Sequence, residues 1–203
     1  MINNIIFDLG NVLVGLQPTI SEQKIQILLE SSSLTHEEFY SKWHSFEKGQ
    51  IHPDDMIEWF CKQNSTIHPL AVKDAINSLI VGFHPGIFPL LQTLREKYDL
   101  YVLSNTNALH VEYLREDVFK KYGIVQYEEN YFNKVYYSNE IGHRKPEFSS
   151  FEYLISDGIA PENSIFIDDI HENVAAAKRC GFFAIQHDVQ HDIRTEIWNY
   201  LNY

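Results

Sequence analysis

Short apolar runs rich in β-branched and aromatic side chains recur along the chain, at residues 5–7, 101–103, 135–137, 165–167 and 183–185. Runs this brief and this continuously apolar predict strands of a parallel sheet buried on both faces. The stretches between the last four have helical character and good punctuation. Gly123, Gly158 and Gly181 each fall where a glycine just past a helix end is expected. Residues 16–83 read differently, with no strand-like run. Thr35 and Glu38 have the spacing of a capping box. Pro53, Asp54 and Asp55 suit a first helical turn, proline early and acids near the positive end of the dipole. Ile76, Leu79 and Ile80 share one helical face, so a small helical bundle is predicted here. The aromatics of residues 191–203 recur at helical spacing and are expected to pack against the sheet.

Spacing makes the bundle an insert. Asp8 and Ser104 are 96 residues apart, against roughly 30 for a strand–helix–strand unit. The expected architecture is α/β: a Rossmann-like parallel sheet core with helices on both faces, formed by residues 1–15 and 84–203. A helical cap of residues 16–83 enters after the first strand, and the core resumes near His84, Pro85 and Gly86. Trp43 and Trp59 are expected in the cap's own core.

Composition narrows the partners. Of 203 residues, 44% are hydrophobic and 14% aromatic, enough for a sizeable core. The net charge is −12 and the Lys and Arg residues are scattered, which argues against nucleic acid or an anionic membrane as partner. A locally positive pocket could still hold a small anion. Cys61 and Cys180 lie far apart, as in a reducing compartment without a disulfide framework. Ten histidines without clustered spacing give no zinc pattern. Met1 is followed at once by a core-like strand, so no signal peptide is expected, and the apolar runs fall short of a membrane span. A soluble cytoplasmic protein is the expectation.

Four polar clusters sit just past the carboxyl ends of predicted strands, the edge where open α/β sheets bind ligands. They are Asp8; Ser104 with Asn105, Thr106 and Asn107; Lys145 in "GHRKP"; and Asp168 with Asp169 in "IFIDDIHEN". Three carboxylates on one edge repel one another and call for a hard divalent cation, most simply Mg²⁺. A hydroxyl, the amides of a helix start and a lysine can hold a phosphate. One carboxylate can then attack phosphorus while metal and lysine neutralise the spreading charge.

In this order the four clusters resemble the motifs of the haloacid dehalogenase (HAD) superfamily: a strand-end Asp, a Ser or Thr, a Lys and an acidic pair. "FDLGNV", "LSNTN", "RKP" and "DDIHEN" are most similar to the subgroup containing bacterial α-glucose-1-phosphate phosphatases, and more distantly to the phosphatase domain of soluble epoxide hydrolases. The resemblance implies an Mg²⁺-dependent phosphatase acting on a small phosphorylated metabolite, with a sugar phosphate favoured. It makes Asp8 the catalytic nucleophile, and Ser104 and the Asn105 amide the phosphoryl-binding groups. Lys145 would bridge nucleophile and phosphate. Asp8, the Gly10 carbonyl and Asp169 would ligate the metal directly, and Asp168 through water. Asn173 would either brace the acidic loop or serve only as a polar residue at a helix start.

Position 10 departs from the family pattern. Most family phosphatases carry there a second Asp, whose carbonyl binds metal and whose side chain protonates the leaving oxygen. Gly10 keeps the carbonyl and lacks the acid, and general acid–base catalysis is typically worth 10²–10⁴-fold. Either leaving groups that need little protonation, such as an anomeric hydroxyl or an acyl group, are therefore expected, or the cap or a bound water supplies the proton. Three alternatives stay open: a metal-independent 2-haloacid dehalogenase, which the acidic pair disfavours; a phosphate-accepting signalling receiver, whose acidic pair should follow the first strand; and an impaired HAD-fold protein that only binds a ligand or partner. His44 and Glu47 are read as a solvated helix end, His143 as an exposed loop residue, Arg144 as partner to an acid and His84 as a hinge residue.

Overall fold

The computed structural model describes residues 2–30 and 32–201; Met1, Ser31, Asn202 and Tyr203 lie outside it. In chain order the strands and helices are β1 (Asn4–Phe7), β2 (Val14–Leu16), α1 (Pro18–Leu29), α2 (His36–Glu47), α3 (Pro53–Gln63), α4 (Pro69–Asn77), β3 (Ile80–Phe83), α5 (Ile87–Arg95), β4 (Asp99–Ser104), α6 (Ala108–Tyr122), α7 (Tyr127–Tyr131), β5 (Lys134–Tyr137), α8 (Ser138–Ile141), α9 (Phe148–Ser156), β6 (Ser164–Asp168), α10 (His171–Arg179), β7 (Phe183–Gln186) and α11 (Ile193–Tyr200).

Five strands form a sheet in the order β5-β4-β1-β6-β7, every pairing parallel. Their side chains alternate between faces, as the two-residue period requires. Ile5, Phe7, Val102, Ile165 and Ile167 enter one apolar layer with α5, α6 and α11. Ile6, Leu103 and Phe166 enter the other, with Phe151 and Leu154 of α9 and Val174 and Ala177 of α10. Helices on both faces explain why the strands read as continuous apolar runs. The expected glycines close their helices in the left-handed region: Gly123 at φ 68°, Gly158 at φ 95° and Gly181 at φ 90°.

Two expectations need correction. Residues 16–83 are not wholly helical. Helix α4 ends at Asn77, and Ile80 belongs to β3, which pairs antiparallel with β2. The partners Val14 and Phe83 are brought together only by folding, so no local pattern marked the ribbon. In the last helix, Ile193 and Ile197 enter the core and Tyr200 packs against it as expected, while Trp198 remains 41% exposed. Helices α1–α4 gather a third apolar cluster around Phe46, Met56, Phe60, Val72 and Ile76, with Trp43 and Trp59 packed against it. The capping box at Thr35 and Glu38 forms, and both cysteines are free. Among the described residues, no helix is long and apolar enough to cross a membrane.

Candidate active site

The strand order reverses at β1, whose neighbours β4 and β6 run off in opposite directions along the chain. Ligands bind at such a switch point, beyond the carboxyl ends of the strands. Asp8 follows β1 there and Asp168 ends β6. Phe7 pairs with Ile167, and the Asp8 amide donates to the Ile167 carbonyl at 2.8 Å. The sheet itself therefore fixes the two acids side by side.

Lys145 lies between them. Its Nζ is 2.8 Å from Asp8 Oδ1 and 2.6 Å from Asp168 Oδ2, and the side chain is only 1% exposed. Carboxylate oxygens of Asp8, Asp168 and Asp169 lie within 4.8 Å of one another. Burial pushes the Asp8 carboxyl up to about 7; Lys145 opposes this, and the neighbouring Asp168 and Asp169 reinforce it. Burial pulls the Lys145 ammonium down, but the charges of Asp168 and Asp8 outweigh it and hold the group above its ordinary value. Asp169 is also raised, chiefly by burial. One ammonium among three carboxylates leaves negative charge unbalanced in a closed site, and an all-oxygen donor set of this kind suits a hard divalent cation.

The acids are braced differently. Asp168 is fully buried, and Asn173 Nδ2 donates to both of its oxygens at 3.0 Å. The Ile170 amide adds a bond to Asp168 Oδ1 at 2.8 Å. Asn173 thus braces the acidic loop. Asp169 is only partly buried and accepts from Asn11 Nδ2 at 2.9 Å. Asn11 is in the left-handed region, φ 55°, within a tight turn where the amides of Val12, Leu13 and Val14 all point to the Leu9 carbonyl.

Ser104 ends β4 and is buried; with Gly10 it lines a cavity of about 60 Å³. The Asn105 side chain has a task the sequence did not signal. Its Oδ1 accepts from the Lys145 amide and its Nδ2 donates to the Lys145 carbonyl, both at 2.8 Å. At Gly10, an added Cβ would sit 2.8 Å from Leu16 Cδ1 and 3.8 Å from Asp8 Oδ2. Leu16 therefore occupies the space into which a side chain at position 10 would grow.

Four discounted residues resolve variously. Glu47 is not freely solvated: it is half-buried, paired with Arg144 and hydrogen-bonded by Trp43. Arg144 does pair with an acid, as expected. His143 is partly buried with its ring 5.9 Å from that of Tyr153. His84 donates its amide to the Leu13 carbonyl, where the ribbon rejoins the core.

The chain matches the sequence profile of the haloacid dehalogenase-like hydrolases over residues 2–181. A D-ribitol-5-phosphate phosphatase of Bacteroides thetaiotaomicron is 26% identical, with both chains covered completely. The crystal structure of a HAD family enzyme from the same organism, in complex with magnesium and inorganic phosphate, superposes with a TM-score of 0.84 at 29% identity, covering 100% of both chains. A predicted HAD-like family hydrolase from Porphyromonas gingivalis gives a TM-score of 0.86 at 28% identity, covering 100% of this chain and 99% of that one.

Proposed function

We propose, from the premise that this chain belongs to the haloacid dehalogenase-like hydrolases, that it is a magnesium-dependent phosphomonoesterase acting on a small phosphorylated metabolite. The observation that carries this reading is the buried Lys145 Nζ, 2.8 Å from Asp8 and 2.6 Å from Asp168, with Asp169 in the same acidic cluster.

In this reading Asp8 is the nucleophile. Lys145 holds Asp8 Oδ1, which leaves Oδ2 to attack phosphorus. An aspartyl–phosphate bond forms, and the bond to the leaving oxygen breaks with its electron pair. Water then cleaves the aspartyl-phosphate, returning the carboxylate and releasing inorganic phosphate. The Ser104 hydroxyl and the Asn105 amide hold phosphoryl oxygens, and Lys145 neutralises charge between them and Asp8. Asp8, Asp169 and the Gly10 carbonyl would hold magnesium directly, and Asp168 through water, its own oxygens being engaged by Lys145 and Asn173. The ion supplies charge neutralisation at the transferring phosphoryl group. Residues 16–83 form the cap that closes over this rim.

The substrate class we propose is a phosphorylated sugar or polyol, supported by the ribitol-5-phosphate activity named for the similar Bacteroides protein. Gly10 orders the members of that class: a phosphate on an anomeric oxygen should turn over faster than one on a primary alcohol. The test is hydrolysis of p-nitrophenyl phosphate and a sugar phosphate panel with Mg²⁺ and with EDTA. Turnover should require the metal, and Asp8→Asn should lower it by roughly 10³-fold or more, as for loss of a nucleophile. Equal turnover in EDTA, or an active Asp8→Asn variant, would overturn the reading.

A further inference from the structure

The loop that carries Lys145 makes contacts on its opposite side that phosphate chemistry does not use. Arg144 Nε lies 3.0 Å from Glu47 Oε2, with side-chain exposures of 19% and 14%. The other Glu47 oxygen accepts from the Trp43 indole at 3.1 Å. Burial raises the Glu47 carboxyl above the usual range, and Arg144 partly offsets the rise. The next residue, Lys48, pairs with Glu147 at 2.6 Å. The one after, Gly49, lies against α8 so closely that an added Cβ would stand 2.0 Å from the Asn139 carbonyl oxygen. Three successive residues at the end of α2 are therefore seated on α8 and on the loop before α9.

Arg144 and Glu147 bracket Lys145. The Lys145 main chain is gripped from the other side by both ends of the Asn105 carboxamide. The loop is thus held between the cap and the residue after Ser104. Exposed ion pairs contribute little, but removing one partner of a desolvated pair leaves a charge stranded. Glu47 and Arg144 are mostly desolvated, and their residues are 97 positions apart. Lifting α2 would return both groups to water and release the loop on its cap side.

We infer that Glu47 and Arg144 are positioning residues, seating Lys145 when helices α1–α4 close over the site. The inference rests on the proposed role of Lys145 in holding phosphate. Glu47→Gln keeps an acceptor for Trp43 and removes the charge. It should lower kcat on p-nitrophenyl phosphate roughly tenfold, within the ~10²-fold that a ~1 Å misplacement can cost, with KM changed less than about twofold. Amide exchange at Lys145 should quicken in the same variant while β6 keeps its protection. Exchanging the charges, Glu47→Arg with Arg144→Glu, should recover most of the lost kcat. Lys24→Gln, which opens the exposed pair with Asp74, should change neither quantity. Parent values of kcat and Lys145 exchange in Glu47→Gln would overturn the inference. So would a charge-exchanged protein as impaired as the single variant. If the parent hydrolyses no phosphate at all, the functional reading fails, and Lys145 exchange alone still decides the coupling.

Discussion

The sheet and the helical insert achieve burial in different ways. In β1, Ile5, Ile6 and Phe7 are each 0% exposed, enclosed by helices on both faces. In the insert, α1 buries only Ser21 and α2 only Phe46. The insert completes its apolar cluster with Leu109, borrowed from α6 of the core. The next residue, His110, ties the two parts together: its Nε2 reaches the Ile76 carbonyl at 3.0 Å and its Nδ1 the Asn107 side-chain Nδ2 at 3.1 Å. Asn107 also caps α6, accepting from the His110 amide through Oδ1. Its Nδ2 therefore faces the ring, so Nδ1 accepts and Nε2–H donates. The lesson is a division of labour. The opposed charges of Asp8, Lys145 and Asp168 sit on the part enclosed by helices on both faces, and α1 and α2 bury little of their own.

The sharpest challenge to this contrast is Lys145→Met. It strands Asp8 and Asp168 in the enclosed rim, and breaking a buried pair typically costs about 3–5 kcal/mol. Chemical denaturation at neutral pH should record a loss of that size. A loss under 1 kcal/mol would mean that the acids are relieved by solvent and that the rim is not rigid.

The junction should show itself through pH. Burial drives the His110 ring down to about 4 from its ordinary 6.5. Between these values the unfolded chain binds a proton that the folded chain refuses, so stability is lost as pH falls from about 6.5 to 4. The loss approaches 3 kcal/mol at about pH 4. The raised Asp8 carboxyl works in the opposite sense, because the folded chain binds its proton first as pH falls. The difference between parent and His110→Gln isolates the histidine. The parent's stability relative to that variant should fall by about 3 kcal/mol as pH drops from 6.5 to 4, and a difference independent of pH would contradict the buried, neutral ring.

The smallest effect belongs inside the insert. Ser21 Oγ donates to the Ala75 carbonyl at 2.9 Å, linking α1 to α4. That carbonyl keeps a second donor, Ser78 Oγ at 2.8 Å. Ser21→Ala should therefore cost about 0.5–1 kcal/mol in the denaturation midpoint. A cost several times larger would show that α1 anchors the insert more firmly than its exposure implies.

What the sequence disclosed follows the same division. Strands β1 and β6 were legible because burial on both faces writes a local, continuously apolar signature, and β4, β5 and β7 because their β-branched and aromatic runs persist although parts of them are exposed. The rim acids were legible because they punctuate β1 and β6; Lys145 does not sit just past a strand as expected, since α8 separates it from β5, and folding of the loop before α9 is what brings it to the rim. The β2–β3 ribbon was not, since Val14 and Phe83 pair across the whole insert. Glu47 was misjudged for the same kind of reason: its ion-pair partner, Arg144, is far away in the chain. The Asn105 carboxamide gave no signal either, because its partner is main chain, which every residue has.

Gly10 and Leu16 bear on how this rim could change over generations. A carboxyl at position 10 would collide first with Leu16 Cδ1, the movable tip of a side chain on β2. Gly10→Asp alone must therefore displace that tip, whereas trimming Leu16 first would enlarge the neighbouring apolar hollow, a loss that stability registers. Because the colliding atom is the far end of a flexible side chain, a change of Leu16 rotamer is what would make room for a carboxyl there.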